Sequence, residues 1–447
     1  MPSQGTIGDR VRGLRLSRRM SQAQLAGPDL SDSYVSLIES GKRTPTPVVA
    51  RLLAERLGCT TEFLLHGIEP RQRIDTELGL RHAELELYHG DPAIAADRFG
   101  DIVKAAGEDN ALLAAHARLG RARALEAQGK IGRAVEAYER LRREAAAHPE
   151  RLADVPLMAA LCRCYQRAGD VMRARDLGNK ALEQVTELSL FHGEVAVDLA
   201  AALADAEIGL SYVEQVLDMT GVPVPADRTT EILSLWQASI SAAEGEDSAL
   251  AVRFADDALS AGRPARIAAQ MARVAMRWAE ISAARSDSLG QVDEMVSSAT
   301  EVFSTLPAAS GEHARSLVVL ARVRLTSGDA HSAEDLATKA LELLAGESEV
   351  IAASAHLVLA EVGLARSDGS DGLFIPSLER AGALLSTAPP GGTIRDREIA
   401  GTWRELGDLW GKAGNRDRQT GAYRRALEAV GVRSTVAGAV TSAVFVR

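Results

Sequence analysis

The sequence predicts an all-α protein, with a small N-terminal domain of five short helices followed by a long array of helical hairpins. Three observations predict this fold. Helix-capping residues recur at short intervals over residues 1–68. Beyond them, pairs of helical segments around a glycine-containing turn recur at a period of about 40 residues. The 447 residues are also too many for one ordinary core, whereas a repeat array grows without a central one.

Each N-terminal helix has a recognisable start, and the second to fifth also have a recognisable stop. Thr6 and Ser21 are each followed three positions later by a residue, Asp9 or Gln24, that completes a capping box. Pro47 stands in the first turn of the fourth helix, where its missing amide proton is tolerated. The predicted start residues are Thr6, Ser21, Ser31, Thr46 and Thr60. The predicted stops are Gly27-Pro28, Ser40-Gly41, Gly58 and Gly67.

The hairpin array is predicted from its turns. They are expected at Gly90-Asp91, Gly129, Gly169-Asp170, Gly209, Gly245, residues 286–287, Gly328-Asp329, residues 367–372 and Gly414, which makes about nine hairpins. The predicted organisation is a domain over residues 1–68, a linker over 69–73, a repeat domain over 74–431 and a tail over 432–447.

Small and apolar residues recur at matching places inside the hairpins. The clearest sets are Ala122, Leu125, Gly129, Ala134, Tyr138 and Leu141; Ala321, Gly328, Ala333, Ala337, Ala340 and Leu341; and Gly407, Trp410, Gly414, Tyr423, Ala426 and Leu427. This pattern resembles the tetratricopeptide repeat, whose ideal period is about 34 residues. The resemblance implies an α-solenoid in which each hairpin contacts only its neighbours. The longer period implies longer helices or loops.

One segment of the N-terminal domain has a specific resemblance. It reads Ser21-Gln-Ala-Gln-Leu-Ala, then Leu30-Ser-Asp-Ser-Tyr-Val-Ser-Leu-Ile-Glu-Ser-Gly-Lys-Arg-Thr-Pro45. Together with its flanks, over residues 6–68, it resembles the Xre/lambda-repressor family of helix-turn-helix domains. The resemblance implies a lambda-repressor-like DNA-binding domain whose recognition helix is Asp32–Glu39. Gly27-Pro28-Asp29 departs from the family pattern, so we expect a differently shaped turn there.

Helical spacing divides the recognition helix into two faces. Val35 and Ile38, with Leu25 of the preceding helix, fall on the inward face. The outward residues are Asp32, Ser33, Tyr34 and Ser36. A helix of this width fits the major groove of double-stranded DNA, where a carboxylate accepts from cytosine and hydroxyls donate or accept. Tyr34 is expected to pack on a thymine methyl group or reach a phosphate.

Three further residues are predicted to contact the DNA backbone. Lys42 and Arg43 lie just beyond the recognition helix, a suitable place for phosphate contacts. By the family resemblance, Gln22 touches a phosphate or buttresses the recognition helix. The alternative is a helical hairpin that only packs, or that serves as an antitoxin-like or dimerisation module.

Charge and cysteine content indicate the setting. The first 73 residues carry eleven basic and seven acidic residues, whereas the remainder carries 40 basic and 54 acidic ones. This asymmetry suggests that the two parts meet different partners. The three cysteines are too few and odd in number for a disulfide framework, and no apolar run approaches the ~18 residues of a membrane span. We therefore expect a cytoplasmic protein with no membrane partner.

No enzyme is predicted, and neither a cofactor nor a metal. The nucleophile-elbow, phosphate-loop, dinucleotide and zinc-protease motifs are all absent from the sequence. Cys162 and Cys164 lie two residues apart in a predicted helix, where side chains point away from each other, so we expect buried small residues there. His82 and His89 are two turns apart, too far for one metal without loop partners.

The repeat array suggests how such a protein is controlled. The first helices of hairpins line the concave face of a solenoid, the usual binding surface. Aligning the hairpins places Arg123, Arg163, Arg167 and Arg322 on that face, where such a cluster would suit an acidic ligand or a peptide carboxylate. The layout resembles the peptide-pheromone receptors of Gram-positive bacteria. The expected function is a homodimeric transcriptional regulator that senses a peptide or small ligand; the alternative is a DNA-located scaffold whose repeats bind another protein.

Overall fold

The computed structural model describes residues 6–66, 70–106, 110–283, 289–306, 309–344, 348–366, 374–389 and 393–431. Within these ranges the chain forms 22 α-helices and no β-strand, which confirms the all-α fold class. The chain divides into two compact units. The first contains residues 1–154 and 228–262, and the second contains residues 155–227 and 263–447.

The N-terminal five helices begin where their caps predict. They are α1 Ile7–Ser17, α2 Gln22–Ala26, α3 Asp32–Glu39, α4 Pro47–Arg56 and α5 Thr61–His66. Thr6 with Asp9, and Ser21 with Gln24, form complete capping boxes. Ser31 accepts a hydrogen bond from the Tyr34 amide at 3.2 Å. These local contacts satisfy amide groups that have no partner inside their helices.

The N-terminal domain has its own core. The fully buried side chains include Val11, Leu25, Val35, Ile38, Leu53, Leu57 and Leu64. Gly8 lets α1 approach the end of α3, because a Cβ there would lie 2.2 Å from the carbonyl oxygen of Ile38. Arg10 of α1 donates to the carbonyl oxygens of Leu64 and Leu65 in α5, at 3.1 and 2.7 Å. The five helices are therefore held by both apolar packing and side-chain caps.

The hairpin array follows. Its helices are α6 Pro70–His89, α7 Pro92–Ala106, α8 Ala111–Ala127, α9 Ile131–Ala147, α10 Asp154–Ala168, α11 Val171–Glu187, α12 Glu194–Ala206, α13 Leu210–Thr220, α14 Thr229–Glu244, α15 Ser248–Ala283, α16 Leu289–Ser304, α17 Ser310–Thr326, α18 Ala330–Leu344, α19 Glu349–Ala365, α20 Phe374–Thr387, α21 Thr393–Lys412 and α22 Arg416–Ala429. Counting α15 as two segments, these described helices make nine hairpins, as predicted. The repeat helices begin at Pro70, within the predicted linker.

The predicted turns separate helices wherever the structure describes them. Gly129, Gly169, Gly209, Gly328 and Gly414 all have positive φ between two helices of a hairpin. The turns expected at 286–287 and 367–372, and the tail over 432–447, lie outside the described residues. Between the fifth and sixth hairpins α15 continues without interruption through Pro264. Proline inside a helix removes one backbone hydrogen bond, and α15 remains helical on both sides of Pro264 despite this loss.

The repeated small residues pack as predicted in most positions. Ala122, Ala134 and Tyr138 are fully buried, and so are Ala321, Ala333, Ala337 and Ala340 of a later hairpin. Leu427 was expected to belong to the same core pattern, but its side chain is 52% exposed. The expectation was wrong because α22 is the last described helix, so no further described hairpin covers that face.

One contact in the first unit departs from a simple solenoid. α6, the first helix of the array, packs against α14 and the start of α15 through Leu78, Leu85, Ile232, Ala251, Ala255 and Ala258. His82 Nε2 lies 2.8 Å from Ser239 Oγ, which donates to the carbonyl oxygen of Ala251 at 2.7 Å. Arg81 pairs with Asp256 at 2.6 Å. The expectation that each hairpin contacts only its neighbours is therefore wrong, because the first and fifth hairpins share an interface.

Among the described helices, none combines the length and the hydrophobicity that crossing a membrane requires. Nor do three His, Cys, Asp or Glu side chains come together anywhere in the described ranges as metal ligands would. Cys162 and Cys164 are both fully buried, as predicted. Burial raises the pKa of the Cys162 thiol to about 11, so this side chain stays protonated near neutral pH.

Candidate nucleic-acid interface

The recognition helix α3 exposes the residues predicted to read DNA. Asp32, Ser33 and Ser36 are exposed and Tyr34 is half-buried, whereas Val35 and Ile38 are fully buried. The two buried residues fix the rotation of α3 about its own axis against the domain core. The exposed side chains consequently share one face of a rigidly held helix, as direct readout of base edges requires.

The N-terminal end of α3 carries acceptor groups. The carboxylate of Asp32 accepts from the amide of Ser33 at 3.1 Å and is otherwise exposed. A carboxylate at this position is favoured by the positive end of the helix dipole. One oxygen of Asp32 therefore remains available to accept a hydrogen bond from a base, while the other stabilises the start of the helix.

Beyond α3 the chain turns so that two basic residues follow closely. The amides of Lys42 and Arg43 both donate to the carbonyl oxygen of Leu37, at 3.0 and 3.2 Å. The Arg43 guanidinium lies over the ring of Tyr34, 5.0 Å from its centroid. This cation–π contact restricts both side chains before any DNA is bound. It joins a residue predicted to read bases to one predicted to contact phosphate.

Gln22 is held by a buried ion pair that the sequence did not reveal. Arg15 donates to both oxygens of Glu39, at 2.6 and 3.0 Å, and also to the carbonyl oxygen of Met20 at 2.8 Å. Gln22 donates its side-chain amide to the same carboxylate at 2.8 Å. Gln22 stands at the start of α2 and Glu39 at the end of α3, so this network fixes the two helices relative to each other.

Electrostatics keeps this network charged. Burial alone would raise the pKa of Glu39, but hydrogen bonds from Arg15 and Gln22 and the charges of Arg15 and Arg12 lower it overall. The hydrogen bond to Glu39 in turn raises the pKa of Arg15. The acceptor that holds Gln22 is therefore a carboxylate at neutral pH.

The turn after α2 has the unusual shape that its sequence predicts. Gly27 has a φ of +53°, and a Cβ at this residue would lie 2.7 Å from the guanidinium carbon of Arg56. Arg56 donates to the carbonyl oxygens of Leu25 and Ala26 and pairs with Asp29. The guanidinium thus satisfies carbonyl groups at the end of α2 and stabilises a turn that Gly27 alone makes accessible.

The four arginines predicted for the repeats are not in equivalent surroundings. Arg123 belongs to the first unit, and the other three belong to the second. Arg163 and Arg167, both on α10, lie close enough to Asp205 to oppose the rise of its pKa, which burial causes; Arg277 opposes it as well. Arg322 is held by Glu405 through two hydrogen bonds of 3.1 and 2.7 Å. Arg163 and Arg167 therefore lie near a common carboxylate, Asp205, whereas Arg322 is paired with Glu405.

Comparison with known proteins identifies the N-terminal part. Residues 11–64 match the family model described as helix-turn-helix. They form a helix-turn-helix domain. This agrees with the Xre-type resemblance of the N-terminal domain. A search of curated protein sequences finds no significant match to the chain.

Solved structures with repeated helices are similar to the chain at low sequence identity. A Rap protein complexed with competence and sporulation factor is 11% identical over 95% of this chain and 97% of its own, with a TM-score of 0.46. PlcR of Bacillus thuringiensis, in complex with the peptide PapR7 and DNA, is 13% identical over 69% and 98%, with a TM-score of 0.36. The quorum sensor NprR of B. thuringiensis is 13% identical over 80% and 99%, with a TM-score of 0.34. All three scores are low.

The helix-turn-helix domain uses many of its basic residues internally. Arg10 and Arg56 satisfy carbonyl groups and Arg15 pairs with Glu39, whereas Lys42 and Arg43 have exposed side chains. Fewer basic side chains are therefore available to contact DNA than the sequence of the domain contains. The one sequence signal for the buried pair was its position. Arg15 falls four residues after the buried Val11, and Glu39 directly follows the buried Ile38.

Proposed function

We propose that this chain is a cytoplasmic, homodimeric regulator of transcription that binds specific sites in double-stranded DNA and is controlled by a ligand on its repeats. The observation that carries the proposal is the face of α3. In a domain that matches the helix-turn-helix family, Asp32, Ser33 and Ser36 are exposed on a helix whose rotation is fixed by buried neighbours. Such a face reads base edges in the major groove.

Reading and positioning are assigned to different residues. Asp32, Ser33, Ser36 and Tyr34 read the bases, while Gln22, Lys42 and Arg43 contact the backbone. Exposed Lys42 and Arg43 are suited to phosphates because they follow the helix that enters the groove. The Nε2 of Gln22 carries two N–H groups, and donating one of them to Glu39 leaves the other for a phosphate.

Dimerisation follows from the small size of the reading face. A single recognition helix offers few base contacts, and helix-turn-helix dimers bind half-sites about one helical turn, ~34 Å, apart. We expect the full chain to select duplex sites with two symmetric half-sites from a random pool, and residues 1–70 alone to bind these sites much more weakly. Protection of one half-site by a full chain that stays monomeric on DNA would contradict the proposal.

Ligand control is assigned to the α10 side of the second unit. Arg163, which is partly buried, and Arg167, which is exposed, both lie near the carboxylate of Asp205, and an anion there would form charge-assisted contacts with the two guanidinium groups. A ligand alters DNA binding only if it binds the conformations of the dimer with different affinities. Arg123 remains a candidate within the first unit, whereas the pairing of Arg322 with Glu405 makes that arginine a weaker one.

The ligand assignment is tested with a pool of short anionic peptides. Arg163→Ala with Arg167→Ala should weaken binding of the pool to the full chain by at least about tenfold, as expected for loss of a charge-assisted contact. The matched control removes Arg416 and Arg424, two exposed arginines on α22, and should bind like the parent chain. Equal binding by both double variants would contradict the assignment of the site but leave the DNA-binding proposal untouched.

A further inference from the structure

A cavity of about 430 Å³ lies in the second unit, where the last turns of three first helices meet. α17 contributes Leu325, α19 contributes Glu361 and Leu364, and α21 contributes Lys412. The cavity is open to solvent, and its volume is within the range of clefts that bind small molecules, roughly 300–1,000 Å³. None of these four residues belongs to the DNA-binding face or to the arginines of α10.

Two opposite charges border this cavity without a direct partner. Within the described residues, neither the Glu361 carboxylate nor the Lys412 ammonium forms a hydrogen bond or an ion pair, and the two do not pair with each other. Arg322, the third charged residue at the cavity, is different because Glu405 already holds it in a bidentate pair. The cavity is therefore bordered by one carboxylate and one ammonium group that form no hydrogen bond or ion pair within the described residues.

The surroundings of Glu361 disfavour the charged form of its carboxyl group. Burial raises the pKa of this carboxyl, although the charges of Arg322 and Lys412 act against the rise and Glu405 adds to it. The carboxylate is partly buried, so a hydrogen-bond donor supplied by a ligand would offset part of the cost of its desolvation.

Two leucines contribute apolar surface to the wall of the cavity. Leu364 is 39% exposed although it borders the cavity, and Leu325 is partly buried beside the neighbouring core. An aliphatic group placed between these two leucines would bury their exposed surface, which favours binding by about 25 cal/mol for each Å² removed from water. A purely ionic ligand would leave this surface exposed.

We propose that this cavity binds a small zwitterion with an aliphatic body, of the class of a free branched-chain amino acid. Its ammonium group donates to Glu361, its carboxylate accepts from Lys412, and its side chain lies against Leu325 and Leu364. A ligand with one charge would leave either Glu361 or Lys412 without its counter-charge, so the cavity discriminates against simple cations and simple anions. The site goes beyond the proposed function and does not depend on DNA binding.

The test is calorimetric titration of the full chain with L-leucine, L-leucinamide and N-acetyl-L-leucine. The amide lacks the carboxylate and the acetylated compound lacks the ammonium group. We expect saturable binding of leucine at one site and binding at least about tenfold weaker for each of the other two, since each loses a charge-assisted hydrogen bond. Absence of saturable binding by leucine, or equal binding of all three compounds, would overturn the proposal.

Variants assign the binding to this cavity. Glu361→Gln and Lys412→Met should each weaken leucine binding at least about tenfold, while the exposed controls Glu342→Gln and Lys339→Met on α18 leave it unchanged. Glu361→Gln should also bind leucine and N-acetyl-leucine alike, because the group that distinguishes them is gone. Parent-like binding of leucine by both cavity variants would overturn the site. Circular dichroism checks that each variant is folded, and if one of them is not, the other serves as the test.

Discussion

The helix-turn-helix domain and the second unit each contain an arginine–glutamate pair with two hydrogen bonds, but the two pairs differ in exposure. The side chains of Arg15 and Glu39 are 11% and 5% exposed, whereas those of Arg322 and Glu405 are 37% and 36% exposed. A buried ion pair is strongly destabilising to break, because the remaining charge has neither water nor a partner. A half-exposed pair can exchange its partner for water at little cost. An arginine–glutamate pair therefore holds the helices of the helix-turn-helix domain in place, whereas the equivalent pair in the second unit can open.

The first pair also has a third member, which extends the contrast to function. Gln22 donates to Glu39, so the carboxylate joins a residue predicted to contact DNA to the end of the recognition helix. Glu405 joins α17 to α21, two first helices separated in the array by α19. We interpret Arg15 and Glu39 as positioning residues and the pair of Arg322 and Glu405 as a tie between helices that solvent can open.

The largest expected effect comes from breaking the buried pair. Glu39→Ala leaves Arg15 buried without a counter-charge, which should destabilise the helix-turn-helix domain by about 3–5 kcal/mol. Hydrogen exchange of amides in α1 to α5 under increasing denaturant measures this change in the domain alone. The double variant Arg15→Met with Glu39→Leu should recover most of the stability but not the DNA affinity, since Gln22 loses its acceptor. Full recovery of both would refute a positioning role.

The same pair predicts how acid acts on this domain. The pKa of Glu39 is lower in the folded state, so its contribution to stability is present above the unfolded value of about 4.3 and is lost as pH falls through the folded value. Amide protection in α1 to α5 should therefore decline below about pH 4 in the parent chain. The double variant Arg15→Met with Glu39→Leu has no such carboxylate and should lose less amide protection as the pH falls. An identical acid profile in the parent and the double variant would argue against a contribution from Glu39.

A smaller effect is expected where the recognition helix meets solvent. Asp32→Ala should relax preference at one base pair and weaken binding to the best site by roughly 1–3 kcal/mol. Because Asp32 is exposed, the fold should be little affected. Competition assays with single-base variants of the site measure the preference, and Glu55→Ala removes another exposed carboxylate of the domain as a control. An unchanged ranking of sites would show that the orientation assigned to α3 is wrong.

Arg43 tests whether backbone contact and base reading are independent. Arg43→Ala should weaken binding to all sequences about equally and reduce the salt slope by about one unit. Arg43 also stacks on Tyr34, so Arg43→Lys should retain the salt slope but weaken the cation–π contact that restrains the ring. Binding measured over a series of salt concentrations separates the two. A change in site ranking with Arg43→Ala and an unchanged salt slope would mean that Arg43 reads bases.

Local and long-range features differ in how well sequence predicted them. The starts of α1 to α4, including the capping boxes at Thr6 and Ser21, follow from residues three positions apart. The buried positions of α3 follow from helical periodicity in the same way. These signals are local, so the chain reveals them without knowledge of its fold.

The features that sequence missed all depend on residues far apart in the chain. Arg15 and Glu39 are 24 positions apart, and Arg322 and Glu405 are 83 apart. The interface of α6 with α14 and α15 joins residues such as His82 and Ser239, which are 157 apart. Periodicity places a side chain on a face but does not determine which distant face it meets. The order of the hairpins likewise predicted that each hairpin contacts only its neighbours, whereas the first and fifth hairpins are in contact.

The smallest expected effect concerns the half-exposed pair and completes the comparison. Glu405→Gln should lower the stability of the second unit by no more than about 1 kcal/mol, because solvent already screens Arg322. A larger response is expected in local motion, since the variant loses the charge that ties α17 to α21. Hydrogen exchange should therefore increase in the last turns of these two helices while the helix-turn-helix domain is unchanged, and the exposed variant Glu342→Gln serves as the control. A loss of stability as large as that of Glu39→Ala would show that exposure does not separate the two pairs.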